Sequence, residues 1–400
     1  GNLGSLRLAA LVGARNRPRV CRPRPGPPRD RVGAVATGFP APRYPRHGGI
    51  GQCRRRAGHD GAALELSRRL RAAGTAVREI DFLDVLPAGC GRLLRATYHA
   101  ELTWAPRTWE WVTDATRGDA TAARTSTILG RLAGDRMVHA VGADVALVIS
   151  TYPLASQLLG RLRQDGRLPT PVLTFLTDMS VHRLWVAPGV DIHLALHPVP
   201  AGQARDLGAA HTVVTGPAVR PAFRPAVDGE RLAARSAFGL PAHEPLALVV
   251  AGSWGVGAVD RSARDIADTG LAVPVVVCGH NDALRRHLGK DHRVVTLGWV
   301  DDMPTLMRGG DLVVQNAGGL TSLEALASGI PVISYECLPG HGRTNAAGLD
   351  IAGWAPWVRE RGDLDAALVR ALRDPAPVTF PRTDLTGVDL GAMVARVEAP

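Results

Sequence analysis

The stretch Leu246-Ala247-Leu248-Val249-Val250-Ala251-Gly252-Ser253-Trp254-Gly255-Val256-Gly257 decides the fold. It opens on a continuous apolar run, too short for a helix and without polar alternation, which predicts a strand buried on both faces of a parallel sheet. The glycine-rich turn behind it leads into Ala258–Thr269, where the spacing predicts a helix. The same rhythm continues downstream. Val273–Cys278, Val294–Leu297, Leu312–Gln315 and Val332–Tyr335 read as strands, with helices expected at Asp282–Leu288, Met303–Arg308 and Leu320–Ser328. Such alternation describes a doubly wound α/β unit.

Upstream, the proline-rich Pro217–Pro225 lies in a boundary segment, Gly216–Pro241, and a second series of apolar runs precedes it. Val77–Phe82, Val145–Ser150, Val172–Leu176, Ile192–Leu196 and Val213–Thr215 read as strands, and Ala155–Arg163 as a helix between two of them. Asp60–Ala73 places Ala62, Leu66, Leu70 and Ala73 on one helical face. The expected architecture is α/β: two Rossmann-like domains, residues 58–218 and 219–380, facing a central cleft, with residues 381–400 as a tail.

Residues 1–57 read differently. They hold thirteen arginines against one acid, Asp30, so the formal charge of +10 over 400 residues belongs to this segment, and the remainder is close to neutral. All but one of the basic residues are arginine, as translation of GC-rich DNA gives, so the charge does not point to nucleic acid as a partner. The Arg-Pro-Gly texture predicts an irregular segment, and Leu8–Val12 is too short for a secretory signal. A Rossmann-like domain should begin with a buried strand, yet Gly51-Gln52-Cys53-Arg54-Arg55-Arg56-Ala57 precedes the first helix, and three adjacent arginines do not fit a central strand. Val32–Thr37 is cut off by Pro40, Pro42 and Pro45. The expectation is therefore a first domain without its opening strand, with residue 59 held loosely, and an out-of-frame origin for residues 1–57. Five scattered cysteines without a C-x-x-C pair suggest neither a zinc ribbon nor a disulfide framework, and point to a reducing cytoplasm.

Three turns carry chemistry in the second half. Gly252-Ser253-Trp254-Gly255-Val256-Gly257 suits a phosphate at a helix N-terminus, or equally tight packing; it is neither a Walker loop nor a dinucleotide fingerprint. Asn316-Ala317-Gly318-Gly319-Leu320-Thr321-Ser322-Leu323-Glu324 supplies a second glycine turn, with Glu324 placed either to accept ribose hydroxyls or to sit solvated on its helix. Cys337-Leu338-Pro339-Gly340-His341-Gly342-Arg343-Thr344-Asn345 reads as a polar loop at the carboxyl end of a strand, where ligands of open α/β sheets bind.

With Gly298-Trp299-Val300-Asp301-Asp302-Met303, these segments resemble the inverting GT-B glycosyltransferases that include monogalactosyldiacylglycerol synthases, processive diacylglycerol glucosyltransferases and the peptidoglycan-precursor N-acetylglucosaminyltransferase. The resemblance spans about residues 58–372. It implies a UDP-sugar donor, with Gly252, Ser253, Gly255 and Gly257 at the diphosphate and Gly318, Gly319 and Thr321 of the second turn also among the donor-binding residues. It sets Trp299 and Val300 beside uracil, Glu324 on ribose, and Gly340, His341, Arg343 and Asn345 toward the sugar. Where relatives often carry Gln, this sequence has His341.

In the first half, Gly58-His59-Asp60-Gly61-Ala62-Ala63 is similar to the family's glycine-rich turn with a catalytic histidine at a helix start. Thr151-Tyr152-Pro153 and Leu176-Thr177-Asp178-Met179-Ser180-Val181-His182-Arg183-Leu184-Trp185 match further segments. An acceptor hydroxyl must lose a proton as it attacks, and neutral His suits that task. The resemblance implies His59 as base, with Asp178 as alternative base or orienting group and His182 structural. No metal and no cofactor are expected, since helix N-termini and backbone amides can stabilise a leaving UDP. Trp104, Trp109 and Trp111 fit either a membrane interface beside a lipid acceptor or a core helix. The implied activity is transfer of a hexose to a lipid hydroxyl at the inner face of the cell membrane. A UDP-sugar 2-epimerase and a catalytically impaired nucleotide-sugar-binding protein are the competing readings.

Overall fold

The computed structural model describes residues 8–13, 58–87, 89–90, 118–250, 255–374 and 378–381. Among the described residues the strands form two six-stranded, all-parallel sheets. The first contains β1 (Leu8–Gly13), β2 (Ala76–Asp81), β3 (Leu147–Ser150), β4 (Val172–Leu176), β5 (Ile192–Ala195) and β6 (Thr212–Val214), in the order β2-β1-β3-β4-β5-β6. The second contains β7 (Leu246–Val250), β8 (Val273–Val277), β9 (Val295–Leu297), β10 (Leu312–Gln315), β11 (Val332–Tyr335) and β12 (Trp357–Val358), in the order β12-β11-β10-β7-β8-β9.

The opening strand expected to be missing is present, which corrects the reading of residues 1–57 as wholly irregular. Leu8–Gly13 lies between β2 and β3, with Leu8 opposite Ala76 and Ala9 opposite Leu147. The run is as long as other strands of this sheet, but its partners lie about 65 to 140 positions away, so only the assembled sheet marks it as central. The aromatic stretch with Trp104, Trp109 and Trp111 lies outside the described residues, as do the arginines Arg54–Arg56 and the tail beyond Pro381.

Helices cover the sheets. In the first domain these are α1 (Gly58–Ala72), α2 (Phe82–Val85), α3 (Asp119–Val141), α4 (Pro153–Gln164) and α5 (Pro198–Asp206). α1 buries Ala62, Leu66 and Leu70 against Ile149, Phe175 and Leu194, and Asp60 and Arg71 at its two ends suit its dipole. The second domain carries α6 (Glu230–Ala237), α7 (Val259–Thr269), α8 (Asp282–Leu288), α9 (Met303–Gly309), α10 (Leu320–Ala327), α11 (His341–Ile351) and α12 (Leu364–Arg373). α6 belongs to this domain: buried Arg235 donates to the Gly309 carbonyl at 2.9 Å and to Asp311 at 2.6 Å.

The domains are pressed together rather than merely linked. One apolar cluster runs from Met179 and Leu196 of the first domain to Leu248, Leu323 and Leu349 of the second. His197, which caps α5, meets Trp354 edge-on at 4.7 Å, and Trp354 in turn meets Phe380, so the last described segment packs on the same seam.

Candidate active site

In each sheet the chain reverses its direction of travel beside the opening strand: β1 has β2 and β3 as neighbours, and β7 has β8 and β10. Carboxyl ends at such a point leave a crevice. The two crevices of this chain face one another across the seam.

On the second-domain side the glycine turns are held by buried amides. Gly257 (φ +99°) adopts a conformation that disfavours side chains, and a Cβ there would stand 2.6 Å from Asn316 Nδ2. Asn316 Nδ2 donates to the Val256 carbonyl at 2.8 Å, and its own carbonyl accepts the Leu338 N–H at 2.8 Å, so one residue ties three loops together. Gln315 Oε1 accepts the Ala317 N–H at 2.7 Å and also that of Gly318, while Nε2 donates to Ser334. The sequence reading includes both residues in this turn but assigns their amides no role, although a polar pair closing an apolar strand is a visible signal. Gly319 and Gly340 are the N-caps of α10 and α11 and bring no side chain to cap them; the Ser322 and Arg343 N–H groups bond the Gly319 and Leu338 carbonyls, so an anion there would meet the first two N–H groups of each helix. Gly255 shapes the turn before α7, whereas Gly252 and Ser253 lie outside the described residues.

Thr321 is half-buried in the first turn of α10, and Glu324 one turn further along. Trp299 stacks flat on His280, with ring centres 4.3 Å apart, and its Nε1 donates to Asp301 at 2.8 Å; Val300 packs against the core beneath. The segment from residue 341 is the start of α11 and not a loop, which corrects the sequence reading. As a result Arg343 projects outward, exposed, and Asn345 is fully buried. The Asn345 amide is committed to protein partners. Oδ1 accepts from the Ser180 N–H (2.9 Å) and hydroxyl (3.0 Å), and Nδ2 faces the Ala317 carbonyl (3.3 Å) and His341 Nε2 (3.0 Å). It joins the domains instead of facing the sugar pocket.

From the first domain, His59 enters at the head of α1, and it is not loosely held. Its ring lies between Tyr152 (5.5 Å) and Trp185 (5.7 Å), and Nδ1 is 3.0 Å from the Thr177 hydroxyl. That hydroxyl donates to Asp178 Oδ2 at 3.2 Å. The ring also hydrogen-bonds the Thr151 backbone carbonyl, so Thr177 and Thr151 together fix its orientation. Burial lowers the His59 pKa, opposed by the charge of Asp178, so the ring is neutral near pH 7.

Asp178 Oδ1 stands 3.5 Å from His341 Nε2, across the seam. Burial would raise the Asp178 pKa, but His341, followed by His59 and His182, holds it well below the usual carboxylate range. Burial likewise lowers His341, yet Asp178 outweighs it and leaves the imidazole raised. His182 is pushed down to about 4 by burial and by His341, and its Nδ1 has no hydrogen-bond partner. The structure thus gathers His59, Thr177, Asp178 and His341 around one point, with His341 the first residue of α11. Among the described residues no group of three His, Cys, Asp or Glu side chains is arranged to hold a metal ion.

The monogalactosyldiacylglycerol (MGDG) synthase family profile matches residues 59–218, the half that supplies His59 and Asp178. The profile of glycosyl transferases group 1 matches residues 253–374, the half with the glycine turns. Each half is thus similar to a glycosyltransferase family over its own part of the chain. Processive diacylglycerol beta-glucosyltransferases of Bacillus cereus (strain B4264) and Bacillus thuringiensis (strain Al Hakam) are each 28% identical over 239 residues, 57% of this chain and 60% of theirs. The chain thus matches 60% of the length of these curated relatives. Among solved structures, sucrose-phosphate synthase from Thermosynechococcus elongatus shares the fold, with a TM-score of 0.50 at 16% identity, covering 98% of this chain and 94% of that one. Among the described residues no helix is long and apolar enough to cross a membrane.

Proposed function

We propose that the chain transfers a hexose from a UDP-sugar to a lipid hydroxyl of the diacylglycerol type, with inversion at the anomeric carbon. The carrying observation is the meeting of the neutral His59 ring, held through Thr177 beside Asp178, with the N-termini of α10 and α11. His59 takes the acceptor hydroxyl proton as that oxygen bonds to the anomeric carbon; the bond from that carbon to the UDP oxygen breaks, and UDP leaves against the helix N-termini. Asp178 stabilises the imidazolium that forms. Glu324 holds the ribose and Trp299 borders the base. The match to the diacylglycerol glucosyltransferases supports the acceptor class.

The protein works at the inner membrane surface as a peripheral enzyme. Arg124, Ile128, Arg131 and Leu132 of α3 share one face at helical spacing, and Ile128 and Leu132 are 54% and 51% exposed, a pairing suited to an anionic lipid surface. The test is a matrix of UDP-sugars against acceptor lipids in vesicles, read by mass spectrometry. Glycolipid formed from a UDP-sugar and diacylglycerol is the expected product. Epimerised UDP-sugar without acceptor, or UDP binding without turnover on any lipid, would replace the reading.

A further inference from the structure

His341 Nε2 faces two groups that make opposite demands on it. The Asn345 amide lies 3.0 Å away, and its orientation is fixed, because only an oxygen can accept the Ser180 backbone N–H at 2.9 Å. The Asn345 group turned toward His341 is therefore an N–H donor, which a lone pair on Nε2 would satisfy. Asp178 Oδ1, 3.5 Å away on the other side, is an acceptor, which only a proton on Nε2 would satisfy. One nitrogen cannot meet both at once.

The other Asp178 oxygen accepts from Thr177, the hydroxyl that holds His59 Nδ1. A single carboxylate thus lies between two imidazoles, one in each domain. We propose that His341 is a positioning residue for the transfer reaction, its Nε2 proton deciding whether Asp178 is drawn across the seam to His341 or left to support His59. This rests on the glycosyl-transfer reading and adds to it a residue that acts through Asp178.

With the proton on, His341 and Asp178 form an ion pair that bridges the domains, and the carboxylate's charge is shared away from His59. With the proton off, Nε2 accepts from Asn345 and Asp178 is free to stabilise the imidazolium that His59 becomes during transfer. The charged and titratable groups around His341 are Asp178 and His182 from the segment after β4 and His59 from α1, with Arg343 two positions along its own helix. Asp178 favours the protonated form of His341, so the exchange occurs above the ordinary histidine range. His59, held low by burial, loses its proton at a lower pH and does not set the same limb. A Gln at this position would donate to Asp178 through its amide and accept from Asn345 through its oxygen, without a titration.

Two measurements on the full chain test this. The first compares kcat against pH for the wild type and His341→Gln. The wild-type rate should rise about tenfold between pH 6 and pH 8.5, as expected of one ionisation, and the variant's by less than about threefold. Equal slopes for the two proteins would overturn the proposal. The second is independent of turnover: NMR of 13C-labelled histidine rings, the His341 signal identified by its loss in His341→Gln. In the wild type it should titrate above 6.5, and in Asp178→Asn at lower pH. A His341 resonance titrating at or below 6.5 in the wild type overturns the exchange. If the wild type transfers no sugar to any lipid, the glycosyl-transfer reading fails, and the NMR titration still decides whether His341 and Asp178 share the proton.

Discussion

Asn345→Leu should loosen the seam between the domains without unfolding either one. Asn345 is completely buried, and its Oδ1 is the acceptor for the Ser180 backbone N–H at 2.9 Å. Leucine fills a similar volume but offers no acceptor and excludes the water that a smaller residue would admit. The Ser180 N–H is then left unpaired in a buried setting, at a cost of about 1–3 kcal/mol. The Ser180 hydroxyl keeps Thr344 as a partner at 3.1 Å, and the Ala317 carbonyl loses only a 3.3 Å contact, so the orphaned N–H dominates. His341 Nε2 also loses the Asn345 amide at 3.0 Å but keeps Asp178 at 3.5 Å, and because the cores beneath β3–β5 and β7–β11 are untouched, the cost falls on closure. Exchange of the Ser180 amide, followed by deuterium uptake in a peptide spanning residues 176–186, should quicken about 5- to 150-fold. Ser180→Ala retains the N–H and its acceptor, and should raise uptake much less. If Asn345→Leu leaves exchange in this peptide within twofold of the wild type, the contact does not hold the domains and the account of the seam is wrong.

Other outcomes follow from the same geometry. Glu324→Ala should weaken UDP binding by about 1.5–3 kcal/mol, roughly 10- to 150-fold, through loss of a charged acceptor for the ribose; calorimetric titration of UDP reads it, and unchanged affinity removes Glu324 from the site. His59→Ala should lower kcat by about 10²–10⁴ while UDP still binds as to the wild type, since the base lies on the acceptor side; retained turnover would transfer the role of base to another group. Acid stability should depend on His193, which is 1% exposed on β5 and pushed down to about 4 by burial, only partly offset by the Trp185 and His211 carbonyls. Below pH 6.5 the unfolded chain takes up this proton and the folded chain does not, so stability falls as the pH drops toward 4. His193→Leu should remove about 2–3 kcal/mol of the loss between pH 7 and pH 4.5, measured by urea denaturation at both values; an equal loss in both proteins rules His193 out as the cause.

Much of the fold was legible because buried parallel strands are written locally. Val172–Leu176 and Leu246–Val250 are covered on both faces, so each is a short unbroken apolar run that a reader can find without knowing its neighbours. The glycine turns are equally local, since a backbone that must take positive φ at Gly257 and Gly318 restricts the residue itself. The histidine at the start of α1 and the Thr177-Asp178 pair were visible as motifs, and the structure brings them within hydrogen-bond reach.

Local patterns along the chain were thus enough for the two-domain α/β plan, the turns and most of the side chains that meet at the cleft. The tertiary structure decided the rest, because it depends on pairings distant along the chain. Leu8–Gly13 becomes a central strand only by lying between β2 and β3, and nothing within its own few residues records those partners. His341 and Asn345 read as pocket residues until the docking of α11 on the segment after β4 turns one toward Asp178 and buries the other against Ser180. Such contacts form between surfaces contributed by separate domains, so their chemistry exists only once both have folded and closed.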